Sequence, residues 1–369
     1  MNKTKIDIIT CFESNEERLN YIYDACLSRN YEVKAISSDF SHIRKEKRNN
    51  LSDRITYLKT DPYWKNLSVE RMLSHRKFAK DVFKLAEKDD PDLIWLIAPA
   101  NSLIKEARKY KEEHPEVKLI IDIIDMWPES LPVNIDKNLL PFRLWRNIRS
   151  NNLYCADHLV TECDYYHEIL SEEYEGPITT IYWARDNSDV KNDPVFDNDD
   201  LNLIYIGSIN NIIDTKRIKD VISDCDSKIR LHVVGEGEST ESFIDELKKV
   251  CEVEYHGAVR EENRKSEIFN RCHAGINIYR DNLYIGFTTK CIDYFEHGLP
   301  IINNIKGDTW KMVEDCDAGI NIKDDTRIKS DILIRQRKNY SKIVDLYNKN
   351  FTKDVFIRRC LEVIDEVLK

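Results

Sequence analysis

Short apolar runs alternate with longer amphipathic stretches along the whole chain, which is the signature of βα units and parallel sheets. In the first half this pattern predicts strands at residues 6–11, 32–37, 93–98, 117–124 and 159–161, with helical spacing over 16–28 and 69–87. In the second half it predicts strands at 203–207, 230–234, 253–255, 275–279, 300–303 and 319–322. Each half therefore reads as a doubly wound α/β sheet. Residues 185–201 are rich in Asp and Asn and almost devoid of apolar side chains, so a linker is expected over 185–200. This gives an N-terminal Rossmann-like domain over 1–184, a second over 201–350, and a final amphipathic helix over 351–369 that is free to return to the first domain.

Composition narrows the classes. A length of 369 residues suits two cores, and 41% hydrophobic with 33% charged residues excludes a disordered or fibrous chain. A net charge of −10 argues against a general nucleic-acid partner, because phosphate neutralisation needs a basic surface. The 10 cysteines are scattered, without a C-x-x-C pair or a Cys/His cluster at zinc spacing, and read as small buried hydrophobes of a reducing compartment. No metal is expected. The first residues lack the features of a leader, and no stretch reaches the roughly 18 to 20 apolar residues that cross a bilayer. The expected location is the cytoplasm, with any membrane contact peripheral at the inner face.

The densest chemistry lies at residues 284–300, Tyr284-Ile285-Gly286-Phe287-Thr288-Thr289-Lys290-Cys291-Ile292-Asp293-Tyr294-Phe295-Glu296-His297-Gly298-Leu299-Pro300. A glycine loop leads to Thr288 or Thr289 as N-cap, and Gly298 closes a short helix. Its amide end would suit a diphosphate. Lys290 sits in the first turn, where a cation opposes the helix dipole, and an anionic ligand explains that placement better. Asp293, a turn further on, can accept hydrogen bonds from ribose hydroxyls. The competing reading is an ordinary βαβ loop with a solvated lysine and a capping threonine.

From Leu203 onward the chain resembles the nucleotide-binding domain of the retaining GT-B glycosyltransferases, the group 1 type, in five segments and in that family's order. These are Leu203 to Gly207, Leu231 to Gly237, Val253 to Val259, Cys272 to Ile278, and Ile285 to Pro300. The resemblance implies two Rossmann-like domains facing a cleft, a nucleotide-sugar donor in UDP or GDP form as substrate, and no cofactor. It implies donor contacts at Gly207, Ser208, Gly235, Gly257, Ala258, Tyr279, Gly286, Phe287, Thr288 and Thr289, with Asp293 on the ribose. Lys290 and Lys216 would face the leaving phosphate, Arg217 being the alternative to Lys216 and a solvated helix start the competing reading. Two positions depart from the pattern: Ile285 replaces the family's first Glu, near the donor sugar, and Ser208 replaces an Arg.

In the first half, Asp122 to Leu131 resembles the "D-x-W-P-E-S" segment of bacterial members that build surface polysaccharides, and Ala156 to Glu162 resembles another family strand. There Asp125 would orient the acceptor hydroxyl, while Glu129 and Trp127 would meet a glycan or lipid-linked glycan acceptor, Trp127 being equally readable as a core residue. Ser14 and Asn15, in the loop where many members have Gly-Gly, would join the acceptor-binding residues, and one of the two would cap the following helix. Residues 139–149 combine apolar residues with three arginines, which suits either an anionic leaflet or a helix packed on its own domain with its arginines at the surface. The run Arg44 to Arg48 reads as a solvated loop. The resulting expectation is a retaining hexosyltransferase of surface-polysaccharide synthesis, with homo-oligomerisation left open. A nucleotide-sugar epimerase and a catalytically silent partner of another transferase are the alternatives. A dinucleotide-dependent dehydrogenase is disfavoured, since no G-x-G-x-x-G follows a first strand.

Overall fold

The computed structural model describes residues 3–131, 133, 135–186, 194–196, 200–281, 283–323 and 326–369. The chain forms two compact units, Met1–Trp183 with Lys353–Lys369, and Ala184–Thr352. Most of the stretch expected as a linker, 187–193 and 197–199, lies outside the described residues.

Unit 1 contains β1 (Lys5–Ile9), β2 (Glu32–Ser38), β3 (Phe40–Ser41), β4 (Glu46–Lys47), β5 (Ile55–Leu58), β6 (Leu93–Ala98), β7 (Lys118–Ile123), β8 (His158–Thr161) and β9 (Ile178–Thr180). Seven of these form one parallel sheet in the order β5-β2-β1-β6-β7-β8-β9. Its central strands are apolar without alternation, all six residues of β6 being buried, because helices cover both faces of a parallel sheet. The terminal helix Lys353–Val367 packs on the helix Glu16–Ser28 within this unit, burying Phe356, Cys360 and Val363. The pair β3–β4 is antiparallel, so the run 44–48 is not a plain solvated loop. Arg48 leaves the solvent to pair with Glu16, and Lys47 pairs with Asp39.

Unit 2 contains β10 (Leu201–Ile206), β11 (Ile229–Val234), β12 (Glu252–Gly257), β13 (Ala274–Asn277), β14 (Ile301–Asn303) and β15 (Gly319–Asn321). They form a parallel sheet in the order β12-β11-β10-β13-β14-β15. The order reverses at β10, so the crevice beyond the carboxyl ends of β10 and β13 is the place where such sheets receive ligands. The core includes Leu203, Tyr205, Leu231, Val233, Phe243 and Ile276. Among the described residues no helix is long and apolar enough to cross a membrane.

Candidate functional site

Three neighbouring strands of unit 2 end in glycines that open one ledge. Gly207, Gly235 and Gly257 all have positive φ, at 119°, 126° and 68°. Side chains rarely adopt these conformations. A Cβ on Gly235 would lie 2.1 Å from the Gly207 carbonyl oxygen, so the two turns touch and Gly235 cannot carry a side chain there. The Gly207 N–H donates to Val234 and the Gly235 N–H to the Gly257 carbonyl. Ser208 and Ala258 follow these turns and are exposed.

Beside this ledge the helix Lys290–Glu296 is buried at all seven positions. Tyr294 fixes its place. The Tyr294 hydroxyl accepts the Ile206 N–H at 3.1 Å and lies 3.2 Å from the carbonyls of Ile204 and Ile276, spanning the gap where β10 and β13 diverge. That placement carries Lys290 under Gly207: a Cβ there would meet Lys290 Cε at 3.7 Å and Nζ at 4.0 Å. The ammonium lies 3.9 Å from the centroid of the Tyr205 ring and 4.8 Å from that of Tyr279. Lys290 is only 8% exposed, and its Nζ has no hydrogen-bond partner among the described residues. Burial pulls its pKa down to about 7.

The loop ahead of the helix is held by an asparagine ladder. Asn277, Asn303 and Asn321 stand in register on β13, β14 and β15, and their amides bond across the sheet at 2.8 Å. Thr288 Oγ1 donates to Asn277 Oδ1 at 2.8 Å, so its side chain is committed to the ladder and does not cap the helix. Thr289 takes the cap position, exposed and without a capping side-chain bond. Phe287 stacks on Phe351 at 5.2 Å, and Gly286 is crossed closely by Gly307, where a Cβ would come within 2.5 Å of the Gly286 Cα. Tyr279 is anchored by Asn304, which receives its N–H and donates to its carbonyl.

Asp293 has company that the sequence did not announce. Its two carboxylate oxygens accept from Arg185 at 3.2 Å each, and Lys265 Nζ lies 3.5 Å away. Lys216 is exposed at the start of the helix Thr215–Ser223, which Asp214 caps, and it lines a surface cavity with Asp214, Asp220, Asp224 and Asp281. Arg217 is engaged by Asp281 at 2.8 and 3.0 Å. The solvated helix start is therefore the reading that fits.

In unit 1 the expected acceptor residues are turned toward each other. Asp125 accepts from Trp127 Nε1 at 2.6 Å and from Ser130 Oγ, and burial raises its pKa against those two bonds. Trp127 is 8% exposed, with the Arg71 guanidinium 4.3 Å from its ring centroid and the Phe12, His75 and Trp145 rings around it. It is a core residue rather than an open sugar platform. Glu129 binds Arg146 at 2.7 Å and Arg149 at 2.9 Å. Those pairs draw the arginines inward: Arg149 is buried, and Leu140 and Leu144 of the same helix are 65% and 57% exposed instead. The helix at 139–149 is thus packed on its own unit, but with leucines as well as Arg143 outward. Asn15 stands at the cap position of the helix Glu16–Ser28 with its side chain turned back to Thr10 Oγ1 at 3.1 Å, and Ser14 Oγ donates to Asn15, so neither side chain caps that helix.

Sequence reasoning missed Tyr205, Arg185, Lys265 and Glu162. Glu162 follows β8, bonds Trp183 Nε1 at 2.5 Å, and is raised to about 8 by burial with Asp125 nearby. The register of β11 with β12 also brings together His232, Glu254 and His256, whose ligand atoms could hold a metal ion. The two rings already bond one another at 3.0 Å, and Arg271 lies 3.6 Å from Glu254.

No family model matches the chain, and no curated protein matches it by sequence. Solved structures do. Sucrose-phosphate synthase from Thermosynechococcus elongatus superposes with a TM-score of 0.73 at 11% identity, covering 99% of both chains. The fold is GT-B. The apo lipopolysaccharide outer core galactosyltransferase WaaB shares this GT-B architecture, with a TM-score of 0.65 and 13% identity over 97% of this chain and 98% of its own. Anabaena HepE, solved in complex with UDP and glucose, gives 0.64 at 11% identity over 99% and 100%. At such identities the shared GT-B fold is what these likenesses establish.

Proposed function

We propose that this GT-B chain is a nucleotide-sugar-dependent glycosyltransferase whose donor diphosphate lies on the glycine ledge of unit 2 against Lys290. The observation that carries the reading is the Lys290 ammonium, buried, unpartnered and directly under Gly207. A buried cation without an anion is costly, and a diphosphate at the carboxyl ends of β10 and β11 supplies the missing charge. Gly207, Ser208, Gly235, Gly257 and Ala258 offer backbone to the nucleotide, and Gly286 to Thr289 border it. As the donor bond breaks, negative charge grows on the leaving phosphate, and a fixed ammonium in a water-poor setting stabilises it. HepE, on the same fold, is solved with UDP and glucose, which supports a UDP-sugar as donor, with GDP the other form proposed.

A hexose is the proposed sugar, with retention at the anomeric carbon. A glycan or lipid-linked glycan is the proposed acceptor, held in unit 1 near Asp125, in bacterial surface-polysaccharide synthesis. The exposed Leu140 and Leu144 beside Arg143 support peripheral contact with a membrane surface on the cytoplasmic side. The test is nucleotide release from UDP- and GDP-sugars with and without membrane-derived acceptors. Acceptor-dependent release of one nucleotide is expected. Binding of the nucleotide without any release would instead favour a GT-B partner protein that has lost catalysis. The Asp293–Arg185 pair supports that second reading, because it occupies the carboxylate expected on the ribose.

A further inference from the structure

We propose that nucleotide binding draws a proton into this protein, onto the amine of Lys290. The inference rests on the reading of unit 2 as a nucleoside-diphosphate site and adds how that site is regulated. Lys290 is 92% enclosed by difference from its 8% exposure, and Nζ meets no acceptor. Its surroundings are the Tyr205 ring from β10, Tyr279 just after β13, and the Cys291 thiol on its own helix. None supplies a negative charge near neutrality: burial raises Tyr205 and Tyr279 above the ordinary phenol range, and Cys291 up to about 12. The carboxylate a turn away, Asp293, is held by Arg185 and Lys265.

An amine so placed gains little from ionising. Two phenol rings give a partial cation–π compensation, far less than lost hydration. The free protein therefore holds Lys290 partly neutral near pH 7, in line with its depressed pKa of about 7. A diphosphate arriving over Gly207 changes the balance, because an anion within hydrogen-bond reach restores the charged form. The amine takes one proton from solvent and becomes the ammonium that contacts the phosphate. No bond other than this N–H forms, and the proton's source is the buffer.

The sign follows from linkage. Well below pH 7 Lys290 is already protonated, so it takes up almost no proton on binding there. Above it the free form is neutral and the bound form charged, so uptake approaches one proton, and affinity falls about tenfold per pH unit until the bound amine itself titrates.

Titration calorimetry with UDP, and GDP in parallel, in two buffers of different ionisation enthalpy counts these protons directly. At pH 8 both nucleotides are fully ionised and contribute none. Uptake of roughly 0.9 proton is expected at pH 8; at pH 6 the Lys290 contribution is near zero, and protons exchanged there come from the nucleotide's own terminal phosphate, whose pKa is about 6. Lys290→Arg, which carries a permanent charge, should bind without uptake at pH 8, and Lys290→Met should bind more weakly at pH 6 and also without uptake at pH 8. Binding by the wild type at pH 8 with no proton taken up overturns the proposal and leaves the donor site standing. Uptake at pH 8 that persists in Lys290→Met overturns it as well, by assigning the proton elsewhere. If neither nucleotide binds, the donor reading falls and this inference falls with it.

Discussion

The two units treat charge at the carboxyl ends of their strands in opposite ways. In unit 1, Asp122 at the end of β7 meets Arg18 through two bonds of 2.7 and 2.9 Å, both side chains fully buried, and Trp95 and Ile181 complete the set. Glu129 is matched by Arg146 and Arg149 in the same manner. In unit 2, Lys290 is buried as well, at 8% exposure, with no hydrogen-bond partner among the described residues. A satisfied buried charge explains itself as architecture, whereas an unsatisfied one points to a ligand that completes it. Asp125 and Glu129, expected at the acceptor, bond Trp127, Ser130, Arg146 and Arg149 within their own unit.

The sharpest way to break this contrast is to remove one partner of the saturated pair. Arg18→Ala strands Asp122 in the interior, and urea unfolding should show a loss of about 3–5 kcal/mol. A loss below about 1 kcal/mol would mean that water reaches Asp122 and that the pair is not architectural. The opposite sign is expected for the unsatisfied charge. Lys290→Met replaces a stranded amine by an apolar side chain of similar length, so stability at pH 6 should rise by about 1–4 kcal/mol while nucleotide affinity drops. A gain in stability with affinity intact would detach Lys290 from the ligand.

Unit 1 is not saturated throughout: Arg71 Nε and Nη2 lack hydrogen-bond partners among the described residues, and Asp7 has one carboxylate oxygen unpartnered, with burial, helped by Asp89, lifting its pKa to about 7. Its folded pKa lies above the unfolded one, so the protein is penalised increasingly as pH rises from about 4 to 7 and fully above that. Asp7→Asn should therefore stabilise the chain by on the order of 2 kcal/mol at pH 8 and have no such benefit at pH 3. A gain of equal size at both pH values would trace the effect to packing instead of charge. The smallest effect is expected at Lys216→Ala, where stability should move by less than about 0.5 kcal/mol and nucleotide affinity not at all. A tenfold loss of affinity there would restore Lys216 to the site.

Much of the fold was legible because parallel strands buried on both faces are written as plain apolar runs. β6 matches the expected 93–98 in full, and the ends of the other anticipated strands shift by at most two residues. What escaped were the short edge strands β5 and β9 and the pair β3–β4, whose partly polar sequences carry no such run. At the site, the glycine turns and Lys290 were readable, since positive φ and a lysine at the wrong helix end are local signals. Partnerships were not. That Thr288 binds Asn277 and Asp293 binds Arg185 depends on residues 11 and 108 positions away, which tertiary packing brings together. The repeated asparagine closing β13, β14 and β15 was the one signal that could have exposed the ladder.

A crystal structure with UDP decides whether a donor diphosphate completes Lys290. A phosphate oxygen about 2.7–2.9 Å from Lys290 Nζ, above Gly207, is expected. UDP seated elsewhere, such as the unit 2 cavity lined by Trp310, Lys306 and Lys323, with the Lys290 amine still unpartnered, would contradict it.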